Sequence, residues 1–218
     1  YWPNKLIVII AAILLGLIIP GAVIFIQELL NNKVLTPADI AASTAAPVVA
    51  EISHTRSKNS VIVTRESRSA VAEQFRTLRT NLLFNMTNNN QKVILCTSNV
   101  SDEGKSFVSL NLATAFALTD KKVLIVDLDL RRKQLTERLE MEDRKGLGDY
   151  MESNTLAVSD ILQPSSIDNN LWVVTSGNSA ANPSEMLLSS RLTSFFEDVK
   201  KRFDFIVERP QSYCFTIC

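Results

Sequence analysis

The loop at residues 97–106, TSNVSDEGKS, constrains the fold of this chain more than any other segment. It lies between an apolar run, KVILC, and a helical pattern, FVSLNLATAFAL. A loop that leaves a strand and opens a helix presents backbone N–H groups to an anion, and the helix N-terminus favours negative charge. We therefore expect a phosphate site, with Lys105 reaching the β- and γ-phosphates and the Ser106 hydroxyl facing Mg²⁺.

This loop departs from the usual G-x-x-x-x-G-K-[ST] pattern, because Asn99 stands where the first glycine is expected. Taken alone, the loop therefore leaves two interpretations open. One is a nucleotide site, and the other is an ordinary helix start that happens to carry Gly-Lys-Ser.

A second motif, KKVLIVDLDLRRKQL, strengthens the nucleotide interpretation. It predicts a buried strand that ends in Asp127 and Asp129 and is followed by Arg131 and Arg132. Carboxylates two residues apart point the same way from a strand end, where they can hold metal-bound water and an incoming hydroxyl beside phosphates. The alternative is an acidic strand end that is simply solvated.

The rest of the chain predicts an α/β fold. Helical patterns alternate with short apolar strands, the helices at residues 66–85, 105–118 and 184–202 and the strands at 93–97, 123–127, 171–175 and 203–207. Such strands are typical of a parallel sheet that helices cover on both faces. Ligands of these sheets bind outside the carboxyl ends of the strands, where both motifs lie.

An apolar segment at residues 6–26 precedes this domain. It has about 21 residues without a charge, which is enough to cross a hydrocarbon core of about 30 Å as a helix. Basic residues are more frequent after it than before it, so the positive-inside tendency places the C-terminal part in the cytoplasm. A signal peptide or a buried core helix is the alternative. Residues 27–59, rich in Ala, Ser, Thr and Pro, predict a juxtamembrane linker.

Composition excludes several classes of function. The formal net charge is zero, so we expect no nucleic-acid partner. The single histidine, His54, lies in the linker, which rules out a histidine-based triad or a multi-histidine metal site. The three cysteines lack the spacing of a disulfide framework and fit a reduced, cytosolic compartment.

With these motifs in place, the chain resembles the bacterial tyrosine autokinases of the polysaccharide co-polymerase type. The membrane segment after Pro-Asn-Lys, the loop and the aspartate strand resemble the family's second membrane helix, Walker A and Walker A′ motifs. EQFRTLRTNL carries an E-x-x-R-x-x-R element at Glu73, Arg76 and Arg79, and SGNSAANPSEMLLSSRL resembles the family's Asn-Pro-x-Glu-Leu-Leu segment. These elements occur in the family's order over nearly the whole chain.

The resemblance implies a P-loop NTPase-like fold of the deviant Walker A type, preceded by one transmembrane helix. It also implies ATP, Mg²⁺ and phosphoryl transfer to tyrosines of a neighbouring subunit, in a homo-oligomer that regulates capsule or exopolysaccharide chain length and export. The further partners implied are the polymerisation and export machinery and a tyrosine phosphatase. The location implied is the bacterial inner membrane, with a cytoplasmic kinase domain.

The same resemblance assigns roles to individual residues. Lys105, Asp127 and Asp129 are the expected catalytic group, with Asp129 favoured as the base, and Ser106 and Asp127 are expected to hold Mg²⁺. Glu73, Arg76 and Arg79 are expected to dock on another subunit. The residues expected to bind the nucleotide are Ser101, Asp102, Glu103, Gly104, Lys105, Ser106 and Phe107.

Two departures from the family pattern stand out. Asp102 occupies a position that is usually glycine, and repulsion between its carboxylate and the phosphates would weaken binding by about tenfold or more. The family's FDFIVIDTPP corresponds here to FDFIVERPQS, and Glu208 would imitate the missing acid only roughly. A reading-frame shift near Val207 would explain this loss of pattern and predicts a truncated kinase that lacks full activity, and the alternative is a genuine evolved tail.

The sequence thus predicts five segments: the end of a periplasmic region (1–5), a transmembrane helix (6–26), a linker (27–59), a truncated kinase domain (60–207) and an aberrant tail (208–218). Two other functions stay open. One is a non-catalytic regulator of chain length or assembly that only oligomerises, and the other is a membrane-tethered ATPase of the partitioning type.

Overall fold

The computed structural model describes residues 5–30, 36–57, 59–86, 92–98, 103–130, 132–141, 144–178 and 183–210, apart from the side chains of residues 42, 134 and 184. The chain divides into two compact units, Tyr1–Val48 and Val49–Cys218. The second unit contains both nucleotide motifs.

The first unit contains helices α1 (Lys5–Leu29) and α2 (Pro37–Ser43). The 25 residues of α1 have a mean hydropathy of 3.0 in their most apolar stretch, and none is buried, so α1 is long and apolar enough to cross a membrane. Helix α2 lies inside the predicted linker. It forms because Pro37 stands in its first turn and the Asp39 carboxylate accepts a hydrogen bond from the Thr36 N–H at 2.9 Å.

The second unit is built on a five-stranded sheet. Its strands are β1 (Val93–Leu95), β2 (Val123–Asp127), β3 (Gln163–Pro164), β4 (Leu171–Val174) and β5 (Phe205–Arg209), in the order β1-β5-β2-β4-β3. The first four strands in this order, β1, β5, β2 and β4, are parallel to one another, as the sequence predicts. Strand β3 pairs antiparallel with β4. The sheet is therefore mixed at one edge.

Helices precede, connect or follow these strands. They are α3 (Ala70–Asn85), α4 (Lys105–Ala117), α5 (Gln134–Arg138), α6 (Leu147–Glu152), α7 (Pro183–Leu187) and α8 (Ser190–Arg202), with a 3₁₀ turn at Val158–Asp160. Helix α3 begins four residues later than predicted, because the Ser69 hydroxyl caps it by accepting from the Ala72 N–H. The helix predicted at 184–202 is divided in two, since Ser189 caps α8.

Hydrophobic side chains pack against both faces of the sheet. The face covered by α3 and α4 buries Phe75, Phe116, Val123, Ile125 and Val207. The opposite face, covered by α6 and α8, buries Leu124, Val126, Tyr150, Phe195 and Ile206. Consecutive residues of β2 alternate between the two cores, as side chains of a strand must. The predicted sheet with helices on both faces is thus present.

Helix α4 is the most deeply buried helix of the unit, with every residue except Phe107 and Val108 buried. The Asn111 side chain connects it to the preceding segment, because its Oδ1 accepts from the Ile62 N–H at 2.8 Å and its Nδ2 donates to the Ser60 carbonyl at 2.9 Å. The helix that opens at the predicted phosphate loop is therefore held firmly in place.

Strand β5 begins and ends two residues later than predicted. Phe205 aligns with Val123, and Arg209 aligns with Asp127, so β2 and β5 end together. Glu208 and Arg209, which the sequence places in an aberrant tail, belong to this strand. Residues 211–218, with the tail's tyrosine and cysteines, lie outside the described residues.

Candidate nucleotide-binding site

The phosphate loop meets α4 at Gly104, which adopts a left-handed conformation with φ of +92°. A residue with a side chain rarely adopts this conformation, so glycine is required here. The Gly104 carbonyl accepts from the Val108 N–H at 2.9 Å and so starts the helix. The Gly-Lys-Ser sequence therefore stands where a strand-connected loop becomes a helix N-terminus, which is the geometry of an anion site.

Lys105 and Ser106 occupy the first turn of α4, and both are buried. The Lys105 ammonium donates a hydrogen bond to the Ser98 hydroxyl at 2.9 Å. Since Ser98 lies just beyond β1, the lysine side chain folds back over the start of the loop. A phosphate group in the loop would meet this ammonium together with the N–H groups of the helix.

Other residues of the predicted nucleotide set are placed differently. Ser101 and Asp102 lie outside the described residues, as does Asn99, so the effect of the Asp102 carboxylate stays a prediction. Glu103 is exposed. The Phe107 ring packs edge-on against Phe75 with a centroid separation of 5.7 Å, and so joins α4 to α3.

A cavity of about 580 Å³ lies beside the start of α4. Its walls include Gly104 and Phe107 on one side and Ile52, His54 and Ser60 of the preceding segment on the other. The cavity has room for part of a ligand that extends from the loop. His54 lines this cavity, although it is also exposed to solvent.

The two predicted carboxylates lie together at the end of β2, as the sequence predicts. Asp127 is 0% exposed and Asp129 is 2% exposed, so neither is a solvated strand end. Asp127 Oδ1 accepts from the Asp129 N–H at 3.2 Å, and Asp129 Oδ1 accepts from the Arg132 N–H at 3.0 Å. These backbone donors fix the orientation of both carboxylates.

Arg209 from the end of β5 binds both of these carboxylates, and the sequence does not predict it. Its Nη1 donates to Asp127 Oδ1 at 2.7 Å, and its Nη2 lies 3.3 Å from Asp129 Oδ2. The arginine is only 2% exposed. One guanidinium therefore offsets half of the negative charge of the ionised carboxylate pair inside the protein.

The strand register explains why the arginine faces the site and its neighbour does not. Asp127 and Arg209 are aligned across β2 and β5, so their side chains lie on the same face of the sheet as α4. Glu208 points to the opposite face, where Lys200 of α8 is its charged neighbour. The expectation that Glu208 imitates the family's strand-end acid is therefore not supported, because Arg209 takes that position.

Burial controls the protonation of Asp127. Burial raises the pKa of its carboxyl to about 7, although the charge of Arg209 and the hydrogen bond from the Asp129 N–H both act to lower the pKa. Without the guanidinium, burial would favour the neutral acid still more strongly. Arg209 thus supports the charged form of Asp127.

Two buried oxygen atoms at the same end of the sheet accept or donate no hydrogen bond among the described residues. They are Asp127 Oδ2 and Thr175 Oγ1. Thr175 follows β4, whose Val174 is aligned with Val126, so Thr175 and Asp127 lie at adjacent strand ends. Sequence reasoning did not select Thr175, although it is the first polar residue after an apolar strand. Such atoms are typical of a site that a ligand or water completes.

The Mg²⁺ that the resemblance implies needs oxygen ligands that are free to face it. Ser106 and Asp127 Oδ2 are candidates, but Arg209 already holds Asp127 Oδ1 and Asp129 Oδ2. A divalent ion on Asp127 would lie roughly 4–5 Å from the guanidinium, where the +2 and +1 charges repel by on the order of 7 kcal/mol at an effective dielectric of ~20. This repulsion cancels the attraction that one of the two carboxylates would supply at a similar distance, so the residues present fit a divalent cation poorly while Arg209 is in place.

The predicted docking residues lie on α3 and make contacts within the chain. Arg76 pairs with Glu73 and donates to the carbonyls of Thr64 at 2.9 Å and Ser67 at 2.8 Å. Arg79 donates to the Ala115 carbonyl of α4 at 2.8 Å. These bonds join α3 to its surroundings, and the contact with another subunit stays a prediction.

Comparison with known proteins agrees with this geometry. Residues 94–208, slightly more than half of the chain, match the model of the CobQ/CobB/MinD/ParA nucleotide binding domain. The match begins in β1 and ends in β5, so it includes the phosphate loop and the aspartate strand.

Several curated relatives are named tyrosine-protein kinases. YwqD of Bacillus subtilis is 32% identical over 152 residues, which cover 70% of this chain and 63% of that protein. Ptk of Acinetobacter johnsonii is 26% identical over an alignment that covers 94% of this chain and 29% of that protein. This chain therefore spans less than two thirds of the length of either relative.

A solved structure shows the same fold. The kinase domain of the Escherichia coli tyrosine kinase ETK superposes with a TM-score of 0.73 at 27% identity, covering 82% of this chain and 74% of that domain. The expected P-loop NTPase-like fold and the family resemblance are both confirmed. This chain belongs to the CobQ/CobB/MinD/ParA family of nucleotide-binding domains, and its homologues in that family are bacterial tyrosine-protein kinases.

Proposed function

We propose that this chain is part of a membrane-bound bacterial tyrosine kinase that binds ATP and undergoes tyrosine autophosphorylation. The observation that carries the proposal is the phosphate loop, in which left-handed Gly104 opens α4 beside the buried Lys105. The tyrosine-kinase relatives assign the reaction class.

The loop supports ATP as the nucleotide. Lys105 and the N–H groups of the first turn of α4 supply positive charge and directed donors for a triphosphate. The cavity beside Gly104 and Phe107 offers space for the rest of the nucleotide. Lys105 thus holds the phosphates, and the deeply buried α4 keeps the lysine in a fixed position.

The carboxylate pair supports a role in proton transfer. Asp129 is proposed to accept the proton of the tyrosine hydroxyl, which requires a free carboxylate oxygen. In the structure, Asp129 Oδ1 accepts from the Arg132 N–H and Asp129 Oδ2 contacts Arg209. Proton acceptance by Asp129 therefore competes with its contacts to Arg209 and to the Arg132 N–H.

The cellular setting is proposed from α1 and from the relatives. Helix α1 inserts in the inner membrane, and the nucleotide-binding unit lies in the cytoplasm. The name of another relative, from Klebsiella pneumoniae, places it in a cps region. The proposed role is control of capsule or exopolysaccharide chain length and export by a homo-oligomer, with Glu73, Arg76 and Arg79 at the contact between subunits and a phosphatase acting in opposition.

The test measures ATP affinity and tyrosine phosphorylation on the full chain in detergent micelles. Calorimetry should detect ATP binding, and Lys105→Met should weaken it by about 100-fold. Incubation with ATP should produce phosphotyrosine that mass spectrometry can locate, and the Lys105→Met chain should produce none. ATP binding that is unchanged by Lys105→Met would exclude the phosphate-loop assignment.

A second candidate function is a nucleotide-binding regulator of assembly without kinase activity. The contact of Arg209 with both Asp127 and Asp129 favours it, because this contact occupies the groups that phosphoryl transfer needs. The same assays separate the two functions. Binding of ATP without any phosphotyrosine supports the regulator, and phosphotyrosine that depends on Lys105 supports the kinase.

A further inference from the structure

The ion triad of Asp127, Asp129 and Arg209 lies where the family resemblance implies a metal ion. Two carboxylates that are almost fully buried need a positive charge beside them, since an unpaired buried charge is strongly unfavourable. The guanidinium supplies that charge with a separate nitrogen for each carboxylate, at 2.7 Å and 3.3 Å. The arginine therefore supplies positive charge where a bound cation would otherwise supply it.

The arginine is also fixed in this position by the fold. It is the last residue of β5, and its carbonyl accepts from the Leu128 N–H at 3.0 Å, one residue beyond Asp127. The aligned strands thus place the carboxylates and the guanidinium on one face, and the backbone of Arg209 is held by pairing with β2. A solvated surface arginine would lack all of these constraints.

We propose that Arg209 is a resident cation of the nucleotide site, so that this protein takes up ATP without a divalent metal ion. The guanidinium holds the carboxylates that would otherwise bind the metal, and its charge repels a second cation. Replacing Arg209 by a neutral residue of similar size opens a divalent-metal site on Asp127 and Asp129. The statement about ATP rests on the proposed function, whereas the statement about the metal does not.

The first experiment uses no nucleotide. Thermal unfolding of the full chain in detergent is measured with EDTA, with Mg²⁺ and with Mn²⁺, for the wild type, Arg209→Met and Arg209→Lys. Arg202→Met is the matched control, because Arg202 pairs with Asp198 at the same 2.7 Å but both side chains are partly exposed. Binding of Mn²⁺ to each protein is measured directly by electron paramagnetic resonance.

The expected result is a metal response in one variant only. Arg209→Met unfolds several degrees below the wild type in EDTA, recovers much of that loss in Mg²⁺ or Mn²⁺, and holds Mn²⁺ tightly. The wild type, Arg209→Lys and Arg202→Met show the same unfolding temperature with and without metal, since each keeps a positive charge at position 209. A wild type that is stabilised by metal, or an Arg209→Met chain that ignores metal, would overturn the proposal.

The second experiment needs only the wild type and so stands even if Arg209→Met does not fold. ATP affinity is measured by calorimetry in EDTA and in Mg²⁺, and the two dissociation constants should agree within about twofold. A Mg²⁺-dependent gain of about tenfold or more contradicts the resident cation. If ATP does not bind under either condition, the proposed function fails, and the unfolding experiment still decides whether Arg209 excludes the metal.

Discussion

The two halves of the candidate site differ in how they are built. The loop half, Gly104 to Ser106, depends on one boundary between a loop and a helix and consists largely of backbone donors. The strand half joins Asp127 to Arg209, which lies 82 residues later in the chain. A single different residue at the end of β5 can therefore change the chemistry of the strand half while the fold and the loop half stay the same.

The largest expected effect tests the buried ion triad of the strand half. Asp127→Ala should lower the free energy of unfolding by about 2–3 kcal/mol, because it removes a charge-assisted hydrogen bond to the buried guanidinium of Arg209, which keeps only Asp129 as its partner. Asp198→Ala is the control, since it breaks an exposed pair of the same 2.7 Å length and should cost less than ~0.5 kcal/mol. Denaturant unfolding in EDTA measures both, and equal losses would show that burial adds nothing to the triad.

The next effect belongs to the loop half. Lys105→Met should weaken ATP binding by about 100-fold, because it removes a charge-assisted contact with the phosphates from a buried position. Lys121→Met is a suitable control, since Lys121 is an exposed residue before β2. Calorimetry of both variants tests the difference. A similar loss in the two variants would mean that only net charge matters.

A measurement of the free energy of unfolding against pH tests the face of β5 that packs against α8. Burial raises the pKa of Glu208 to about 7, although the charge of Lys200 acts to lower it, so the folded state keeps a proton that the unfolded state has released. Glu208 therefore does not lower the free energy of unfolding at a pH below its ordinary pKa of 4.5. As the pH rises towards 7, the buried carboxyl lowers the free energy of unfolding increasingly.

Glu208→Gln removes this cost, and above pH ~7 the variant should be more stable than the wild type by on the order of 2 kcal/mol. Asp127 titrates in the same range with the same sign, so only the difference between the two proteins reports on Glu208. Urea unfolding from pH ~4 to ~8 provides the measurement. A difference that does not change with pH would exclude a raised pKa for Glu208.

The smallest effect concerns Asp102, at a position outside the described residues. Asp102→Gly should tighten ATP binding by about tenfold, because it removes a carboxylate near the phosphates. Asp102→Asn separates charge from backbone freedom, since it removes only the charge, and it should recover most of the gain. Equal or weaker affinity of both variants, measured by calorimetry, would show that the carboxylate is harmless.

The loop half and the aspartates could be predicted because each depends on neighbouring residues. The apolar run that ends in Asp127 gave the bounds of β2, Val123–Asp127, without error. The Gly-Lys-Ser start of α4 was predicted for the same reason, since local backbone geometry and residue type are sufficient there. The family resemblance then assigned roles that the residues alone left open.

Arg209 could not be predicted because it depends on strand register. Its segment lacks a clear periodicity, and the loss of the family pattern indicated that the kinase domain ends near Val207. Pairing with β2 nevertheless extends β5 to Arg209 and places its side chain on the face of the aspartates. The comparison of FDFIVERPQS with FDFIVIDTPP does place Arg209 opposite the family's aspartate, but only the strand alignment shows that it binds Asp127 and Asp129.

Short elements escaped prediction for a different reason. Helix α6 is only six residues long, and it is fixed by contact with the segment after β4, where the Leu147 N–H donates to the Thr175 carbonyl at 2.8 Å. A side chain at Gly146 would collide with the backbone of Gly177. Such an approach of two backbones produces no hydrophobic period, so no pattern in the sequence indicates it.

The order of the strands also determines which edge of the sheet can pair with a strand of another molecule. Strand β3 forms one edge, and its Pro164 has no N–H group to offer a further strand. Strand β1 forms the other edge among the described residues, and its Leu95 side chain is 46% exposed. Unwanted self-association through strand addition would therefore start at β1, and a charged residue in place of Leu95 is the natural protection for purified protein.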